Sequence, residues 1–180
     1  MPVETRDTSP LILIVDDSVT NLQVLGSMLR ESNYRTAVAE NGEAALEFVI
    51  RHRPQLILLD IAMPGLDGFE VCTRLTQNPD YASIPVIFLS VRTETSEKVR
   101  AFKCGGVDYI TKPFQREEVV ARIEAHLQLQ KNKQMLQAAN EALEQRVKER
   151  TSELMASNAK LEEANIALRV LLEQKDESRG

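Results

Sequence analysis

Two adjacent carboxylates, Asp16 and Asp17, follow the aliphatic run LILIV at residues 11–15. A third, Asp60, lies in the run QLILLDI, Ser90 closes PVIFLS, and Lys112 stands just after VDYI. Carboxylates beside buried strands repel one another and lose hydration, so gathering three of them calls for a compensating cation. A hard divalent ion with oxygen ligands meets that need, Mg²⁺ by preference with Mn²⁺ able to substitute. Taken singly, each residue also has a plainer role. Asp17 could cap a helix in competition with Ser18 or Asn21, and Asp60 could be a turn aspartate. Ser90 could open a helix, and Lys112 could be an exposed loop lysine. Their joint placement is what favours a site.

That placement depends on the elements between them. Apolar runs at 11–15, 34–39, 55–61, 85–90 and 107–110 alternate with amphipathic stretches at 19–30, 43–51, 69–75 and 96–103, and a fifth begins near Glu117. The central runs are continuously apolar, as parallel strands covered on both faces should be. Strand and helix alternating five times predict a doubly wound α/β sheet. Asn41-Gly42 would turn the chain into the second helix, and Gly105-Gly106 would stop the fourth. The polar residues then follow strands one, three, four and five. In open α/β sheets those carboxyl ends are where ligands bind.

Composition narrows the class. The net charge of −5 and pI near 5.2 give no basic footprint for nucleic acid. The first ten residues lack the apolar run of a signal peptide, and no stretch approaches the roughly 20 apolar residues of a membrane span. Cys72 and Cys104 have neither zinc-site nor redox-pair spacing and read as ordinary cysteines of a soluble cytoplasmic protein.

With these residues in place, the chain resembles the receiver domain of two-component response regulators over roughly residues 10 to 128. LILIVDD resembles its acidic pair, LILLDIAMPGLDGFEVC its phosphorylation segment, IPVIFLS its hydroxyl-bearing strand and GGVDYITKPF its lysine segment. The resemblance implies a flavodoxin-like sheet of order 2-1-3-4-5. It also implies phosphorylation of Asp60 by the phosphohistidine of a histidine kinase or histidine phosphotransferase. Mg²⁺ would be held by Asp17, Asp60 and the backbone carbonyl of Ala62, with Asp16 in support. Lys112 would be a second cation on the moving phosphoryl, and Ser90 would hydrogen-bond it once attached. An aspartate nucleophile forming an acyl phosphate is sound chemistry in its own right. Tyr109 falls where the family carries a mobile aromatic, although a half-buried strand tyrosine would serve equally. Lys112-Pro113 is expected to be cis by the same resemblance. Val91, where the family usually has a small residue, would narrow access for small phosphodonors, and Ala62 and Arg92 fall at positions that vary in the family.

The tail differs in kind. All eight aromatics, all seven prolines and six of seven glycines lie at or before Phe114, and the residues beyond it are rich in Leu, Ala, Glu, Gln, Lys and Arg. A long helix is therefore expected beyond a boundary near 115–128. One heptad register places Val147, Leu154, Leu161 and Leu168 at a and Leu129, Leu136, Leu143, Ala164 and Leu171 at d. Nine of its thirteen a/d positions are apolar; Lys133, Asn140, Arg150 and Ser157 interrupt it. A parallel homodimeric coiled coil over 129–175 is the expectation, Asn140 being a residue that can fix register. Residues 1–9 and 176–180 would be flexible. The tail resembles linkers that precede the catalytic parts of hybrid sensor histidine kinases and nucleotide cyclases. Neither His52 nor His126 has the sequence context of a kinase phosphoacceptor, and no phosphate-binding glycine loop is present. Two alternatives stay open: the front of such an enzyme, or a non-phosphorylated scaffold.

Overall fold

The computed structural model describes residues 9–91 and 95–177. The elements run β1 (Leu11–Val15), α1 (Val19–Glu31), β2 (Arg35–Ala39), α2 (Gly42–His52), β3 (Leu56–Asp60), α3 (Gly68–Gln77), β4 (Val86–Ser90), α4 (Thr95–Lys103), β5 (Asp108–Thr111) and α5 (Arg116–Glu177). The five strands form one parallel sheet of order β2-β1-β3-β4-β5. The doubly wound architecture expected from the alternating runs is therefore present. Arg92 and nearly all of the two terminal segments lie outside the described residues.

Strand residues alternate between two cores. Leu13, Val15, Ile57, Leu59, Val86 and Phe88 pack with Ala45 and Val49 of α2 and with Phe69, Val71, Cys72 and Leu75 of α3. Ile12, Ile14, Leu56, Leu58, Ile87, Leu89 and Ile110 face Leu22, Leu25 and Leu29 of α1 and Val119 and Ile123 of α5. Helical spacing produces those faces: Leu22, Leu25 and Leu29 fall three and four residues apart, on one side of α1. Both faces of β3 and β4 are covered, and every residue of the two strands is buried. That is why their sequences show no polar alternation.

Local signals set the helix starts. Ser18 caps α1, its hydroxyl accepting from the Asn21 N–H; of the three capping candidates the structure uses Ser18. Asn41 caps α2. Asp67 and Glu70 form a reciprocal capping box at α3. Past β5, no proline or glycine interrupts α5. The chain divides between Lys131 and Asn132 into two compact units, and none of the described helices is long and apolar enough to cross a membrane.

Candidate functional site

The sheet register brings four strand ends level. Val15 pairs with Leu59, Asp60 with Leu89, and Ser90 with Thr111. Asp16, Asp60, Ser90 and Lys112 consequently meet at the carboxyl edge, beside the β1–β3 boundary where the strand order reverses. The reversal opens a crevice there. Gly68 makes the close approach behind it possible: a β-carbon at that position would stand 2.2 Å from the Asp60 carbonyl oxygen. The Gly68 N–H donates to the Ile61 carbonyl at 3.0 Å, which closes the loop after Asp60.

Asp16 is fully buried. Its carboxylate accepts from the Ser18 N–H at 2.9 Å, from Asn21 Nδ2 at 3.0 Å on each oxygen, and from Lys112 Nζ at 2.8 Å. Asp60 is 4% exposed and accepts from the same ammonium at 2.9 Å. Burial pushes the Asp60 carboxyl above its ordinary value; Lys112 and the Ala62 N–H offset only part of that. For Lys112, burial would lower the ammonium, but bonds to Asp16 and Asp60 outweigh it and hold its pKa above the ordinary lysine value. Asp17 is exposed at the mouth.

Carboxylate oxygens of Asp16, Asp17 and Asp60 all lie within 4.8 Å of one another. Three carboxylates against one ammonium leave a formal charge of −2, which one divalent cation balances. The donor set, all hard oxygen, fits Mg²⁺ or Mn²⁺. Ser90 is 6% exposed, and its hydroxyl donates to Glu97 Oε2 of α4 at 3.3 Å. The Lys112 N–H bonds the Ser90 carbonyl at 2.8 Å, so the two residues are fixed to each other through the backbone. Ala62 and Val91 are exposed, Val91 at 72%. Tyr109 is half-buried on β5, with the Arg122 guanidinium 5.8 Å from its ring centre. The Lys112-Pro113 bond is cis.

The model of the response regulator receiver domain matches residues 12–124. This chain belongs to that family. A Pseudomonas aeruginosa relative, Protein PilH, is 37% identical over 116 residues, 64% of this chain and 96% of its own length. A Vibrio cholerae protein named "Probable cyclic di-GMP phosphodiesterase" is 38% identical over 143 residues, 79% of this chain. The match covers only 32% of that relative. Among solved structures, the receiver domain of the Pseudomonas aeruginosa sensor histidine kinase PA1611 aligns with a TM-score of 0.63 and 28% identity. It covers 67% of this chain and 98% of that one, and it carries a magnesium ion in its active-site cleft.

The receiver fold thus gathers Asp16, Asp17, Asp60, Ser90 and Lys112, while Tyr109 lies on β5 beside the Arg122 guanidinium. Two contacts escaped sequence reasoning. Asn21 is a ligand of Asp16 as well as a first-turn helix residue, and only its position five residues after Asp16 hinted at that. Glu97 meets Ser90 from α4 across seven residues, a contact that depends on how the helix packs. His126 has a structural place: with Arg122 it holds Asp108, at 3.1 Å and 2.8 Å.

Eight heptad residues, Leu129, Leu136, Leu143, Val147, Leu154, Leu161, Leu168 and Leu171, are between 57% and 73% exposed. They lie on α5, and all eight are apolar.

Proposed function

We propose that this receiver accepts a phosphoryl group on Asp60 from the phosphohistidine of a histidine kinase or histidine phosphotransferase, in the cytoplasm. An Asp60 carboxylate oxygen attacks phosphorus, the P–N bond breaks, and the departing imidazole nitrogen keeps the bonding pair. The observation that carries this reading is the buried Asp60 carboxylate, held at 2.9 Å by Lys112 inside a three-carboxylate cluster. Asp16, Asp17, Asp60 and the Ala62 carbonyl would hold Mg²⁺ or Mn²⁺, which supplies charge neutralisation on the phosphoryl oxygens. Lys112 is already aimed at the place where that charge develops, so its contribution is preorganised electrostatics. Ser90 would exchange Glu97 for the new phosphoryl oxygens, and Tyr109 would follow the hydroxyl inward.

For the rest of the chain we read a receiver domain over 10–128 and a dimerisation and signalling helix over 129–175. The exposed leucine seam supports a parallel homodimer, since so long an apolar stripe is stabilised by a partner helix. A continuous α5 suits transmission of a small rotation or shift from the receiver into the coil.

The match to the phosphodiesterase relative favours a second reading, in which this chain is the regulatory front of a larger signalling enzyme. Placed anywhere on 180 residues, a 143-residue match extends beyond residue 124, past the receiver. A cyclic-dinucleotide hydrolase then joins the kinase and the cyclase as a possible output.

Intact mass after incubation with Mg²⁺ and acetyl phosphate tests the site. One added phosphoryl is expected on the wild type and none on Asp60→Asn. Because the resemblance implies that Val91 narrows access for a small donor, a phosphorylated histidine-kinase domain is the second donor. Failure with both, or labelling of Asp60→Asn, overturns the assignment.

A further inference from the structure

Cys72 and Cys104 are 32 residues apart in sequence, yet the fold sets them side by side. Cys72 is fully buried on the inner face of α3. Its thiol donates to the Cys104 carbonyl at 3.3 Å. Thr76, one turn further along α3, donates to the same carbonyl at 3.1 Å. The Cys104 thiol points back to the Ala101 carbonyl at 3.1 Å. The turn after α4 is therefore docked on α3 by the side chains of Cys72 and Thr76, which share the Cys104 carbonyl. Gly105 continues that turn at φ +98°, where a β-carbon would stand 2.5 Å from the Thr76 methyl, so the close approach leaves no room for another residue.

The two thiols differ in accessibility. Burial, with Cys104 alongside, drives the Cys72 thiol far above its ordinary pKa, so it presents little thiolate. Cys104 is half-buried and lines an open groove between α3 and α4 with Phe69, Arg74 and Arg100. An oxidant arriving by that groove meets Cys104 first and finds Cys72 directly behind it.

We propose that Cys104 and Cys72 form a reversible redox pair, in which a peroxide oxidises Cys104 and Cys72 resolves it to an intramolecular disulfide. In the first step the Cys104 sulfur attacks the peroxide O–O bond, giving a sulfenic acid and releasing water. In the second, the Cys72 thiol attacks that sulfenic sulfur, the S–S bond forms, the S–O bond breaks, and the thiol proton departs with the hydroxyl as a second water. Two electrons pass from the thiol pair to the peroxide. The bond would staple α3 to the turn that ends α4, the helix whose Glu97 holds Ser90.

The test treats the full chain with hydrogen peroxide, then alkylates it under denaturing conditions and maps peptides by mass. The expected result is loss of both free thiols with a Cys72–Cys104 linked peptide, a monomeric chain on a non-reducing gel, and full recovery with dithiothreitol. Because the Cys72 thiol already lies against the Cys104 backbone, oxidation should also raise the thermal midpoint. In Cys72→Ala, the reaction should stop at a Cys104 sulfenic acid trapped by dimedone. Over-oxidation of Cys104 in the wild type while Cys72 stays free, a disulfide between chains, or a lowered midpoint would each overturn the proposal.

Discussion

At the scale of residues, the site is a balance of charges that two substitutions should upset in different ways. Asp17 is exposed at the edge of the carboxylate cluster, and on the proposed reading its task is to complete the cation's oxygen set. Saturating Mg²⁺ should raise the thermal midpoint of the wild type. An ion at 100-fold excess over its dissociation constant stabilises by about 2.7 kcal/mol, which is roughly 5–10 °C for a chain of this size. Asp17→Asn should lose most of that shift while keeping the metal-free midpoint; an equal shift in both proteins would remove Asp17 from the ligand set. Lys112→Ala should behave otherwise. It leaves Asp16 and Asp60 buried without their shared cation, so the metal-free protein should lose about 3–5 kcal/mol, partly restored by Mg²⁺, and phosphoryl labelling should fall away. Denaturant titrations with and without the ion separate the two effects. Asp16, Asp17, Asp60, Ser90 and Lys112 were legible in the sequence because each closes or follows an apolar run, and strand ends are easily read. Asn21, Glu97 and the cysteine pair were not. Their partners are set by how helices pack on the sheet, and sequence spacing does not record that.

At the scale of elements, β5 and α5 are joined by a polar cluster that sequence patterning missed. Arg122 bonds both carboxylate oxygens of Asp108 at 2.8 Å, and His126 adds a contact at 3.1 Å. Burial would raise the Asp108 carboxyl, but the bonds from His126, the Tyr109 N–H and Arg122 outweigh it and hold the pKa below its ordinary value. A carboxyl depressed in the folded state stabilises fully above its unfolded pKa of about 3.9, and that stabilisation is lost as pH falls through the folded value. Asp108→Asn should therefore cost about 1–3 kcal/mol at neutral pH and progressively less as pH drops below about 4. Urea midpoints of the two proteins across that range check it; a difference that stayed constant with pH would remove Asp108 from the account. The same scale explains Gly68. With the Asp60 carbonyl where a β-carbon would go, Gly68→Ala should move the loop after β3 and weaken phosphorylation more than its helix propensity alone predicts. Strand order and helix faces were readable here, because they follow from apolar spacing and turn residues. The Asp108 cluster depends on which side of α5 meets β5.

At the scale of the whole molecule, the long helix poses a question of energy. Burying a leucine side chain contributes on the order of 1.5–3 kcal/mol, and the seam from Leu129 to Leu171 carries seven leucines and a valine, all exposed on one chain. The polar interruptions at Lys133, Asn140, Arg150 and Ser157 fall mainly in the first two-thirds of the register, so the run from Leu154 to Leu171 has the densest apolar packing. Pairing should consequently depend most on Leu154, Leu161 and Leu168. Replacing Leu154 and Leu161 together by Glu puts two charges from each chain into the seam. Removing burial and adding like-charge repulsion should shift sedimentation at micromolar concentration from dimer to monomer. Asn140→Leu should act in the opposite sense: it removes the residue suited to fixing a two-stranded register, so association should strengthen and higher oligomers appear. If the wild type sediments as a monomer throughout this range, the seam is not a homodimer contact. The leucines would then be left for a different helix, one from a partner or from a larger protein of which this chain is a part.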